Sequence, residues 1–179
     1  MAIDRYSKDY RLIDSVDGRG RIRSGTEYIG AYYVFASGLD IARRAGKRLT
    51  LLCALAWLGF LAALYPPSTA GRTLYAVLPC AVTALPLWLL STVAYTALRA
   101  GEPLIHRDAD RFSLRLPSAA VFTAVLSAGA FLGGVLSILF GGNGMLPGDW
   151  VFLAGMLLVF SCALLCRRQV RPLAVKKKN

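Results

Sequence analysis

The chain has 179 residues, of which 56% are hydrophobic and 17% are charged, and its formal net charge at pH 7 is +11. Soluble domains carry about 45–50% apolar and about 25% charged residues. The apolar residues also cluster, because Arg72 is the only charge between Arg48 and Arg99, and Asp149 the only one between Arg115 and Arg167. This distribution excludes a soluble core, and each block is long enough for two membrane crossings of about 20 residues.

Residues 1–48 precede the first apolar block and predict a small cytoplasmic head. Alternating residues around Asp17-Gly18 predict a β-hairpin over 10–24, with Asp14 opposite Arg21. An isolated hairpin is barely stable in water. We therefore expect it to rest on the middle loop, on the inner leaflet or on a partner. The candidate docking surface comprises Arg19, Arg21, Arg23, Tyr28, Tyr32 and Tyr33.

A helix is expected directly before the membrane, over residues 38–48. Ser37 is followed by Asp40 three residues later, which is the spacing of a capping box at a helix start. The helix is expected to run into the first apolar stretch, with Gly46 as a candidate break.

Four apolar stretches predict membrane-spanning helices. Pro117 is placed as a first helical residue and Asp149 as the N-cap of the last span. The predicted fold class is an all-α integral membrane protein, a four-transmembrane-helix bundle running up-down-up-down. The spans cover about 49–65, 73–98, 117–140 and 150–166, within a transmembrane domain of residues 49–166.

The basic residues predict the orientation of the spans. All 21 Lys and Arg residues except Arg72 lie in the head, in the middle loop 99–116 or in the tail 167–179. Basic residues close to membrane ends stay on the cytoplasmic side. Both termini and the middle loop should therefore be cytoplasmic, at an inner membrane whose leaflet is anionic. Because the charge lies beside the membrane ends, it argues against nucleic-acid binding.

The middle loop 99–116 has the pattern of an amphipathic helix. Ile105, Ala109, Phe112 and Leu116 fall on one stripe, which we expect to lie on the inner leaflet. The polar residues of the loop are then its solvated face and not a metal cluster: Glu102, His106, Asp108 and Asp110.

The span interiors contain no Asp, Glu, Lys, Arg or His. Proton-coupled pumps and voltage sensors need such groups at depth. The sequence accordingly predicts no catalytic residue, no metal and no cofactor. The four cysteines are interpreted as small buried hydrophobes, three of which meet if spans one and four are neighbours.

Two groups of residues in the spans each have two possible roles. Gly129, Gly133 and Ser137 form a small-residue ridge, which serves either packing within the bundle or self-association. Pro79, Thr83 and Pro86 share a face of span two, and they form either a static bend or a gate.

The leading functional hypothesis is a non-enzymatic membrane protein, a subunit or scaffold that docks a partner through its head and middle loop. The first alternative is a small homo-oligomeric channel or transporter that uses the kinked span and the ridge. The second is a membrane enzyme acting on lipid head groups through the carboxylates of the middle loop.

Overall fold

A computed structural model describes residues 7–16, 22–65, 67–99, 101, 103–140 and 146–178. The elements are, in chain order, β1 (Tyr10–Val16), β2 (Ile22–Tyr28), β3 (Tyr33–Phe35), α1 (Leu39–Leu64), α2 (Leu74–Arg99), α3 (His106–Asp110), α4 (Leu116–Phe140), α5 (Pro147–Arg168) and β4 (Val175–Lys177). Single 3₁₀ turns occur at Ser7–Asp9 and Ala70–Arg72, and a π-turn at Arg111–Arg115 joins α3 to α4.

The four long helices pack together as a bundle. Helix α1 contacts α2 and α5, and α4 contacts the same two helices. Each is long and apolar enough to cross a membrane. Their outward faces carry large apolar side chains such as Leu58, Leu78 and Leu132. A helix that is apolar all round is typical of a membrane span.

Glycines allow close approach at each helix contact. An added Cβ at any of four glycines would lie within about 3.2 Å of the neighbouring helix. Three of them lie against backbone atoms, whereas Gly134 lies against side chains of α5. The pairs are Gly46 with Ala97, Gly59 with Gly155, Gly133 with Tyr75, and Gly134 with Phe152.

The predicted capping box at the start of α1 is wrong. The helix runs unbroken from Leu39 to Leu64, so Gly46 does not interrupt it. Its N-cap is Gly38, whose φ of 87° is a conformation that glycine adopts without strain. Ser37 is not the cap, because its hydroxyl donates instead to the carbonyl of Pro172.

Two further helix starts differ from the prediction. The third span begins before Pro117, since α3 and the π-turn lead directly into α4. The wide turn, in which the Leu116 N–H donates to the Arg111 carbonyl, accommodates a proline that has no N–H of its own. Asp149 lies at the third position of α5, whose N-cap is Leu146.

Strands β1 and β2 form an antiparallel hairpin with a register different from the predicted one. Asp14 lies opposite Ser24 and Ile13 opposite Gly25, so the predicted pair of Asp14 with Arg21 is wrong. The hairpin ends at Tyr28, beyond the predicted residue 24. Residues 17–21, which include Arg19 and Arg21 of the candidate docking surface, lie outside the described residues.

A second small sheet joins three distant parts of the chain. Strand β3 pairs antiparallel with β4, placing Tyr33 opposite Lys177. Tyr33 also exchanges two backbone hydrogen bonds with Leu104, at N···O distances of 2.9 and 2.8 Å. The N-terminal segment, the middle loop and the C-terminal tail therefore meet at one end of the bundle. From here on the name head, used above for residues 1–48, means the described residues 7–38, 101–115 and 169–178 together.

Candidate docking site on the head

The apolar core of the helix bundle extends into the head. The rings of Phe35 and Phe112 meet edge to face with their centroids 5.6 Å apart. Leu104 and Leu173 are buried in the same apolar cluster. Each of the three chain segments contributes at least one of these side chains. Packing between the segments therefore holds the head together.

The middle loop does not present its apolar stripe to a membrane. Ala109, Phe112 and Leu116 are buried inside the protein, with β3 covering Phe112. The expectation that this stripe lies on the inner leaflet is wrong. The stripe is an apolar face, as predicted, but another part of the chain covers it.

Tyr28 and His106 join the hairpin to the middle loop. The Tyr28 hydroxyl accepts the His106 backbone N–H at 2.9 Å and donates to the Ala31 carbonyl at 2.8 Å. Asp9 Oδ2 lies 3.0 Å from His106 Nδ1, and the Tyr33 ring stacks on the imidazole. The hairpin therefore contacts the middle loop, which is one of the three supports considered for it.

Burial raises the pKa of the Tyr28 phenol above its ordinary value, although the hydrogen bond from His106 N–H opposes the shift. The phenol therefore stays neutral at physiological pH, as its donation to Ala31 requires. In the described part of the chain, no group of three or more His, Cys, Asp or Glu side chains is arranged to hold a metal ion.

The predicted docking residues divide into internal and exposed ones. Arg23 lies on β2 opposite Ser15. Tyr28 and Tyr33 are half-buried and serve the contacts within the head described above, whereas Tyr32 is 42% exposed.

Two residues outside the predicted docking surface extend its exposed part. Tyr10 and Ile29 are 38% and 58% exposed, and the Tyr28 ring lies edge to face with both Tyr10 and Tyr32. We call Tyr10, Ile29 and Tyr32 the aromatic patch. Tyrosine clustering in the sequence signalled part of it, but the exposure of Ile29 depends on how the hairpin packs.

The small-residue ridge faces α2. A Cβ on Gly133 would lie 2.8 Å from the Tyr75 carbonyl oxygen, and one on Gly129 would lie 3.8 Å from Pro79. Ser137 Oγ is 2.7 Å from Thr73 Oγ1. The ridge is thus used in packing within the bundle.

The predicted kink or gate residues also lie inside the bundle, away from the head. Thr83 is fully buried and its hydroxyl donates to the Pro79 carbonyl at 2.6 Å. Pro86 is buried one turn further along α2. This arrangement is that of a packed helix face.

Asp149 is a buried carboxylate with a contact, to Thr69, that the sequence did not indicate. Its Oδ1 accepts the Thr69 N–H at 2.6 Å, and its Oδ2 accepts the Thr69 hydroxyl at 2.9 Å and the Leu146 N–H at 2.8 Å. It joins the start of α5 to the connection between α1 and α2. A carboxylate after a Gly-rich segment reads as a simple helix cap, so its second partner could not be inferred from spacing.

Three of the cysteines lie close together, as predicted for the case that spans one and four are neighbours. Helices α1 and α5 are neighbours, and Cys53 lies against Cys166 with Cys162 close by. All four cysteines are buried and free.

Comparison with known proteins adds nothing to this geometry. No family model matches the sequence, and neither the curated proteins nor the solved structures include a match.

Proposed function

We propose that the chain is an integral inner-membrane protein whose four long helices run up-down-up-down, with both termini and the middle loop in the cytoplasm. The support is the distribution of charge, since Arg72 alone among the described Lys and Arg residues lies at the end of α1 away from the head. Basic residues are retained on the cytoplasmic side. The apolar outward faces of the helices suit lipid.

Within that frame the protein acts as a non-enzymatic scaffold or subunit that docks a partner protein through its head. One observation carries this proposal: three distant chain segments fold into a head with a packed core and an exposed aromatic patch. Positive charge alone is enough to set the membrane topology, so the topology does not explain why these segments fold into a packed structure. Exposed tyrosines on an ordered support are typical of interaction surfaces.

The channel alternative has less support. A pore needs polar or kinked faces directed at an aqueous path, whereas Thr83 and Pro86 are buried among packed helices. A homo-oligomer built on the ridge needs Gly133 to be accessible, and that glycine lies against α2.

Site-specific photocross-linking in cells tests the docking proposal. A photoreactive amino acid at Tyr32 should give one foreign protein adduct in stoichiometric yield. The same amino acid at Tyr75 is the matched control, because Tyr75 is a comparably exposed tyrosine near the start of α2, far from the head. It should not give that adduct.

A substitution in the aromatic patch gives a second test of the docking proposal. Ile29→Asp places a charge at an exposed site without disturbing a buried contact. We expect it to reduce the Tyr32 adduct about tenfold or more, which corresponds to about 1.4 kcal/mol of binding. Adducts only with other copies of this chain, together with ion flux in liposomes, would favour the channel instead.

A further inference from the structure

An apolar groove runs along the surface between α4 and α5. Its floor is made of small buried side chains, Ala120, Ala124 and Ala163, so the two helices leave a cavity of about 260 Å³. Val125 on α4 and Phe160 on α5 line its sides. The lining is almost entirely apolar, and the groove is open to the outside of the bundle.

The groove leads into a basic pocket at the end of α5. This second cavity, of about 650 Å³, is lined by Leu164, Arg167, Arg168 and Arg171. Leu164 and Arg167 also line the groove, so the two cavities are contiguous. Among the described residues that line them, none is acidic.

The two cavities together fit a ligand that has both an apolar chain and an anionic head group. The groove offers apolar contact over about two turns of each helix. The pocket offers guanidinium groups, which bind phosphate oxygens in a bidentate manner. Basic pockets between membrane helices on the cytoplasmic side are suited to anionic head groups. A soluble anion would use only the pocket, and a zwitterionic lipid would gain little from its charge.

We propose that one anionic phospholipid occupies this site, with an acyl chain along the α4–α5 groove and its phosphate on Arg167 and Arg168. The assignment rests on the proposed insertion of the four helices in a membrane. The carbonyl end of α5 is itself unfavourable for an anion. The arginine side chains must therefore supply the affinity for the phosphate, so removing them should strongly weaken lipid binding.

Lipid retention by the purified full chain tests the assignment. The protein in mild detergent is titrated with phosphatidylglycerol, with phosphatidylcholine of the same acyl chains and with glycerol phosphate, and the bound species are counted by native mass spectrometry. Phosphatidylglycerol should be retained about tenfold more tightly than the other two probes.

Variants separate the two halves of the site. Arg167→Glu with Arg168→Glu should weaken phosphatidylglycerol retention about tenfold, and Ala124→Leu should do so by filling the groove. Arg72→Glu controls for charge, because Arg72 lies at the end of α1 away from the head. Ala81→Leu, on an exposed face of α2, controls for added volume. If Ala124→Leu fails to fold, Ala128→Leu fills the same groove from a half-buried position.

The outcomes are distinct. Equal retention of the two lipids, or retention unchanged by the arginine reversal, overturns the assignment. Equally tight glycerol phosphate binding also overturns it, since the groove then plays no part. Recovery of the protein from cells without detergent would instead contradict the proposed membrane insertion.

Discussion

At the scale of single residues, Asp149 has the clearest structural role. It is fully buried and accepts hydrogen bonds from Thr69 and Leu146, which belong to two different inter-helix connections. A buried carboxylate is tolerated only when its oxygens are satisfied in this way. It therefore fixes α5 to the connection between α1 and α2.

Asp149→Asn should lower the free energy of unfolding by about 2–3 kcal/mol. One oxygen becomes an NH₂ group facing an N–H donor, and hydrogen bonds to a charged acceptor are worth about 1.5–3 kcal/mol. Denaturant unfolding in detergent micelles measures the change. Asp40→Asn, at an exposed carboxylate in the first turn of α1, is the control and should cost less than about 1 kcal/mol. Equal stability of the two variants would contradict the assigned role.

At the scale of elements, close helix contacts depend on individual glycines. Gly129 and Gly133 are one turn apart on α4 and both face α2, yet only Gly133 lies against backbone atoms. Backbone cannot move aside as a flexible side chain does. The pattern of small residues identified the face of α4 correctly as a contact surface, but the spacing does not distinguish the two positions.

The two alanine variants should therefore have opposite effects. Gly133→Ala should destabilise the bundle by about 1–3 kcal/mol, the usual cost of overpacking. Gly129→Ala meets only ordinary contact, so its higher helix propensity should leave stability unchanged or raised by up to about 1 kcal/mol. Thermal unfolding in detergent compares them. A Gly133→Ala protein that keeps its stability but changes its oligomeric state would indicate self-association.

At the scale of the whole molecule, the head joins both ends of the chain to the middle loop. Lys177 is opposite Tyr33, and Tyr33 pairs with Leu104, so the three segments must lie on the same side of any membrane. The predicted basic tail is in part a strand of this sheet. Its lysines therefore have a structural position besides their charge.

Single added cysteines test the orientation. Arg72→Cys should react with a membrane-impermeant maleimide on intact cells, whereas Gly101→Cys and Lys178→Cys should react only after permeabilisation, since all three sites are exposed. The native cysteines are buried and give a low background: Cys53, Cys80, Cys162 and Cys166. Labelling of Lys178→Cys on intact cells would reverse the proposed topology.

The sequence by itself determined the existence of four long apolar helices and of a hairpin before them. Such elements follow from local composition and periodicity, because runs of apolar residues and alternation act over a few neighbouring residues. The convergence of Cys53 with Cys162 and Cys166 needed only one added fact, the contact of α1 with α5.

Only the tertiary structure decided what covers each apolar face. The stripe through Phe112 is amphipathic whether it lies on lipid or under β3, and the choice depends on Phe35, far away in the chain. The second partner of Asp149 likewise depends on how two inter-helix connections meet. These contacts join residues distant in sequence, so no local pattern records them.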